Sequence, residues 1–205
     1  MQTAVMASDA AIRIRPRERR GDRTRARLVE AALVEFREHG FERARIAGIA
    51  KAAGVSRPSF YFHFPKKEDL LRELLEGLEV DVAERIGRAP SLRDGMGELI
   101  RSVLAVQGQV GAAVFAEMLR AQTRVADAEQ DRPNAVREAL APLFADAAAR
   151  GELRPGLAAE RAPAIYLSSM FGCLLDPDGA GNAGHGDDLH TLSALFFREP
   201  EGEIP

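Results

Sequence analysis

The sequence holds one cysteine and no tryptophan among 205 residues. With Cys173 alone, no disulfide can close within the chain, and its apolar neighbourhood reads as core rather than as the setting of a nucleophile. No run of about 18 apolar residues occurs, so a membrane-spanning helix is not expected and no membrane partner is assigned. The first residues lack the apolar centre of about 7–15 residues that a signal peptide requires, which points to a soluble chain in a reducing cytoplasm. Sustained alternation of apolar and polar residues is missing, which argues against a sheet. No phosphate-cradling glycine loop, His–Asp–Ser order or paired carboxylate occurs in its required context, so no catalytic residue and no cofactor is expected. His185 and His190 flank Asp187 and Asp188, but not at the i,i+4 spacing that sets two imidazoles on one helix face, and no metal is expected there.

What is present is helical in character. Hydrophobic residues make up 46% and charged residues 29%, with Ala, Leu, Arg and Glu prominent, which suits an all-α protein of one or two domains with a sizeable core. The net charge of −3 conceals a division. Residues 1–67 carry 15 Lys+Arg against 7 Asp+Glu, a balance of +8, while residues 68–205 carry 13 against 24, a balance of −11. A basic segment neutralises phosphates and releases counterions, whereas an acidic one is repelled by DNA and should face away from it.

The stretch RIAGIAKAAGVSRPSFYFHF, residues 45–64, reads as two short helices about a tight turn. Ile46, Ile49, Ala50 and Ala53 recur at helical spacing, Gly54 gives the turn its backbone freedom, and Val55 fills the angle between the helices. Ser56 can cap the second helix, and Pro58 is tolerated in a first turn because its missing N–H has no helical partner to lose. Phe60 and Phe64, four apart, face inward, which leaves Arg57, Ser59, Tyr61 and His63 towards the other side and Lys66 and Lys67 just beyond. Such a helix suits the major groove of double-stranded DNA, although apolar spacing alone would sooner suggest an ordinary helical hairpin.

From ARLVEAALVEFREHGF onward, residues 25–75 resemble the DNA-binding domain of the TetR family of bacterial transcriptional regulators, through the ordered features AA, GF, IA, AGVS, FYFHF and KKEDL. The resemblance implies a three-helix DNA-binding head over 21–67, with the helix-turn-helix motif at 45–64, and a helical effector-binding and dimerisation domain over 68–198. It implies that Arg57 and Ser59 reach base edges, arginine being able to pair with guanine. Tyr61, His63, Lys66 and Lys67 are then expected on phosphates, and Lys51 either on a phosphate or in solvent. Two positions depart from the family pattern. Arg45 stands where Ser or Thr is usual; it cannot cap, but it can meet a phosphate as a charge. Lys66 replaces the usual Ser, Asn or Asp, so the following helix is expected to lack its cap.

Before this head, residues 1–20 end in RIRPRERR and are expected to be a disordered basic arm able to lie on DNA. Helices are expected near 24–39, 66–88, 92–107, 112–126, 135–150 with Pro142 inside, 159–175 and 187–197. The glycine-rich DPDGAGNAGHG before the last helix reads as a loop, and 199–205 as a flexible tail. The family resemblance implies a small-molecule effector pocket among the central helices. Met96, Leu99, Val103, Phe115, Met118 and Leu119 are its candidate walls, with Gln107 and Gln122, and also Gln109 and Glu117, as candidate polar groups. It further implies a homodimer through the last two helices, where Leu167, Met170, Phe171, Leu174, Leu189, Leu192, Leu195 and Phe196 exceed what one subunit needs to bury. The expected function is an effector-released repressor on a palindromic operator. A ligand-responsive activator of the same fold, or a helical ligand-binding or enzymatic protein without DNA binding, stays open as an alternative.

Overall fold

The computed structural model describes residues 23–128, 134–175 and 181–198, excepting the side chains of 122–128 and 181–184. The expected arm at 1–20 and tail at 199–205 lie outside the described residues. Among those described are nine helices and no strand, as the composition implied.

The first three helices make the head. Helix α1 (Arg23–Arg43) buries Leu28, Val29, Ala32 and Phe36 on one face. Its run breaks at Gly40, where φ is 73°, and Phe41 then folds back against Phe36 with ring centroids 5.2 Å apart. Helices α2 (Ile46–Ala52) and α3 (Arg57–His63) enclose the expected turn. Gly54 takes φ 68° there, and the Val55 N–H donates to the Ala50 carbonyl at 2.9 Å. Phe60 and Phe64 are fully buried.

Helix α4 (Glu68–Gly87) joins head to body. Its early part packs on α1, and its length packs on α5 (Leu92–Val110), α6 (Ala112–Ala128) and α7 (Ala135–Ala149) through Leu70, Leu71, Leu74, Leu78, Val82 and Ile86. Ser91 caps α5, accepting from the Asp94 N–H at 3.2 Å. That helix continues past the expected end at Gln107, through Gly108 to Val110, and breaks only at Gly111, where φ is 86°. A glycine inside a helix costs about 1 kcal/mol, which burial of Val106 and Val110 offsets. Asn134 caps α7, accepting from the Arg137 N–H at 2.8 Å, and the helix continues through Pro142.

The last two helices are α8 (Ala162–Leu175) and α9 (Gly181–Ala194). Here the structure corrects the sequence reading, because α9 starts at Gly181 and takes in the glycines of GNAGHG. Packing overrides their poor propensity: α9 lies on α5, His185 is buried, and a Cβ built on Gly186 would stand 3.5 Å from Leu104. Instead of continuing to Phe197, α9 stops at Ala194, and the chain turns inward. Leu153 and Phe197 form an isolated antiparallel bridge, with Arg154 N–H donating to the Phe196 carbonyl at 3.0 Å and Arg198 N–H to that of Glu152 at 2.8 Å. Phe196 thereby enters an aromatic cluster with Phe144 and Tyr166, at 6.0 and 5.2 Å.

Candidate nucleic-acid interface

The departures at Arg45 and Lys66 are each compensated by a carboxylate, one from another helix and one from the first turn of α4. Arg45 makes no side-chain cap, but Glu35 of α1 reaches across and its Oε1 accepts from the Arg45 N–H at 3.0 Å. The same carboxylate lies so close over the first turn of α2 that a Cβ on Gly48 would stand 2.8 Å from Oε2. An anion at a helix N-terminus satisfies an orphan donor and complements the dipole, which is the work a serine would otherwise do. At α4 the Lys66 N–H donates to Asp69 Oδ2 at 2.9 Å, one half of a capping box. The helix expected to lack its cap is held by its own first-turn carboxylate.

Lys67 is placed differently from its sequence expectation. Its ammonium turns into the head, donating to the carbonyls of Phe41 at 2.6 Å and Glu42 at 3.1 Å, 4.5 Å from the centroid of the Phe41 ring. A lysine there satisfies the carbonyls at the end of α1.

Arg45, Lys51, Ser56, Arg57, Tyr61 and Lys66 are exposed, while Ser59 and His63 are half-buried. Ser56 Oγ accepts from the Ser59 N–H at 3.3 Å, so the expected cap forms and its hydroxyl proton stays available to an acceptor. The Arg57 guanidinium carbon stands 5.9 Å from the Tyr61 ring centroid. Beneath this face, Arg25 of α1 anchors the end of α3. Its guanidinium lies 4.2 Å over the Phe64 ring, donates to the His63 carbonyl at 2.9 Å, and pairs with Glu73 of α4 at 2.7 Å. One ring of α3 went unassigned in the sequence. Phe62 is two residues from both Phe60 and Phe64, so at about 100° per residue it points opposite to them, and it is 85% exposed. The run FYFHF hid it, because three phenylalanines at period 2 can all be taken for core.

In the body, an apolar cavity partly open to solvent lies among α4 to α8. Leu99, Val103, Phe115 and Leu119 line it, as do Leu75 and Leu78 of α4. Ser102, Glu79 and Asn134 supply polar edges. Met96 and Met118 are buried elsewhere in the core. Gln107 faces α9, its Nε2 3.1 Å from His185 Nδ1, because α5 continues through that position; among the described residues Gln107 Oε1 and His185 Nε2 have no hydrogen-bond partner. Gln109 is half-buried, Glu117 pairs with Arg120, and the Gln122 side chain lies outside the described residues.

The residues expected at a dimer interface divide. Leu167, Met170, Phe171 and Leu174 line the cavity of their own chain, and Leu189 and Phe196 are buried in its core. Leu192 is half-buried and Leu195 is 51% exposed. The outward side of this helix pair is formed by Ala164, Ile165, Ser168 and Gly172 on α8 and by Asp187, Asp188, His190, Thr191, Ala194 and Leu195 on α9. Among the described residues no single helix is long and apolar enough to cross a membrane.

Residues 28–74 match the family model described as bacterial regulatory proteins, tetR family. Over 196 residues, spanning 83% of this chain and 90% of the relative, the sequence is 30% identical to the HTH-type transcriptional regulator TtgR of Pseudomonas putida. The fold is similar to that of SmeT, the repressor of the Stenotrophomonas maltophilia multidrug efflux pump SmeDEF, at a TM-score of 0.62 and 20% identity, covering 88% of this chain and 95% of SmeT. It is also similar to Thermus thermophilus FadR, a TetR family transcriptional repressor solved with lauroyl-CoA, at 0.60 and 23%, covering 88% and 98%. With a head built on α1 to α3, a helical body and a relative of this extent, the chain belongs to the TetR family of bacterial transcriptional regulators.

Proposed function

We propose that this regulator is a cytoplasmic, homodimeric repressor that leaves a palindromic operator when a small apolar effector enters the cavity. The observation that carries the reading is the sharing of α4. Glu73 holds the Arg25 anchor of the reading helix, while Leu75 and Leu78, on the same helix, line the cavity. A ligand that fits better with α4 displaced shifts the population towards that arrangement by its differential affinity. Two heads must present α3 about 34–36 Å apart to meet successive major grooves. Any displacement that changes this spacing lowers operator affinity. The outward face of α8 and α9, with small residues at 164, 168 and 172, supports close pairing of two subunits. The Glu79, Ser102 and Asn134 edges would orient an otherwise apolar effector.

The test is selection of bound duplexes from genomic DNA with the purified chain, followed by titration of the recovered site from about 50 to 200 mM salt. A palindromic site whose affinity falls steeply with salt is expected, since several head cations displace counterions. Recovery of no common site would overturn the reading.

A further inference from the structure

We propose that Phe62 is a specificity-determining residue that reads the C5 methyl group of a thymine in each half-site. The inference rests on the DNA-reading role of the head. Single exposed apolar side chains need no explanation, but this ring differs in degree and in position. It is 85% exposed, whereas among the described residues the other exposed large apolar side chains reach at most 53%, at Val34. It also stands at the centre of the outward face of α3, opposite buried Phe60 and Phe64, with exposed Pro58 one turn before it. Arg57 and Tyr61 lie to one side of that line and Ser59 and His63 to the other. When this face of the helix enters a major groove, Pro58 and Phe62 stand over base edges with Arg57 and Ser59 beside them, and Tyr61 and His63 lie nearer the phosphates.

A phenyl ring has no donor or acceptor, so it cannot match the hydrogen-bonding pattern of a base edge. Of the groups that base pairs present in the major groove, only the thymine methyl is apolar. Against guanine, adenine or cytosine the ring would cover polar atoms and leave them unpaired, which disfavours those bases. Phe62 therefore supplies preference at one position through both the contact it makes with thymine and the penalty it imposes elsewhere. Its neighbours hold the duplex in register.

The experiment replaces each thymine of the selected half-site in turn with deoxyuridine, which removes the methyl group and nothing else. At one position the full-length chain should lose about fourfold in affinity, the factor for one buried methyl-sized group. Phe62→Ala should bind the thymine and deoxyuridine duplexes equally at that position, and Phe62→Leu should keep part of the preference. Both variants should stay folded with a melting midpoint close to the parent's, because the ring is 85% exposed and its ring contact within the chain is edge-to-face with His63 at 5.2 Å between centroids. The inference is overturned if no deoxyuridine substitution matters, if the half-site contains no thymine, or if Phe62→Ala still discriminates. Failure to select any site would bring down the proposed function itself, and this inference with it.

Discussion

Arg25 of α1 and Glu73 of α4 are held 2.7 Å apart, and the same guanidinium donates to the His63 carbonyl that ends α3. Three helices, two of the head and the one that links it to the body, therefore converge on one arginine. Glu73 is largely buried, so removing its charge leaves an arginine with a weaker acceptor in a half-shielded site. Glu73→Gln should cost about 1–2 kcal/mol, less than a fully buried pair because Arg25 is partly exposed. Urea unfolding would measure this, and operator affinity should fall with it. An unchanged midpoint together with unchanged affinity would remove Arg25 and Glu73 from the coupling argument.

Glu35 should act as the cap that Arg45 cannot be. Glu35→Ala is expected to destabilise the chain by about 1 kcal/mol, the usual cost of a lost N-cap. Gly48→Ala displaces the same carboxylate yet gains about 0.8–1.0 kcal/mol of helix propensity, so its net effect should lie near zero. Denaturant midpoints for the two variants decide between this account and one in which the cap contributes nothing.

The proposed dimer face makes a divided prediction. Gly172→Glu places a charge on the outward side of α8, at a position open within its own chain, and should give a folded monomer with poor operator selectivity. Met170→Glu puts the charge into the core and should unfold the chain, since an unpaired buried carboxylate costs several kcal/mol. Sedimentation and circular dichroism of both variants distinguish the faces, and a tight Gly172→Glu dimer would place the interface elsewhere.

Tyr166 provides an alkaline signature. Ser193 Oγ donates to the Leu189 carbonyl at 2.8 Å, so the Tyr166 hydroxyl, 2.8 Å away, is the donor to Ser193. Burial pushes the phenol up to about 12, against a smaller downward pull from Ser193. An unfolded tyrosine titrates near about 10. Stability from the neutral phenol is therefore complete below about pH 10 and is lost between there and about 12. Tyr166→Phe should flatten that part of the stability profile while costing about 1 kcal/mol at neutral pH for the hydrogen bond. An unaltered alkaline slope would count against a buried, neutral Tyr166.

Gln107 and His185 form a buried polar pair in which, among the described residues, one atom of each is left without a hydrogen bond. Replacing either alone by leucine should destabilise by about 1–3 kcal/mol, because the survivor keeps a buried unmet group. The double replacement should recover most of that loss. A double-mutant cycle in urea would reveal the coupling, and strict additivity would refute it.

The head was legible because its apolar spacing, turn glycine and aromatic pair act over short distances, so local sequence determines them. Three features were not. The start of α9 was hidden by glycines whose propensity is overruled by packing on α5. The direction of α8 was hidden because APAIYLSSMFGCLL is apolar or small on every side, so periodicity could not tell core from outward face. The compensations by Glu35 and Lys67 join positions 10 to 26 residues apart, distances at which side-chain meetings are set by the fold.

Glu73 and Leu75 lie two residues apart on α4, about 3 Å of helix rise. Any engineered hybrid that joins this head to another body at residue 67 would separate Arg25 from its acceptor at Glu73. Carrying the join beyond Glu73 brings it to the cavity wall at Leu75. The two halves of this regulator therefore have no clean seam at which they can be exchanged, and a working chimera would have to inherit α4 whole.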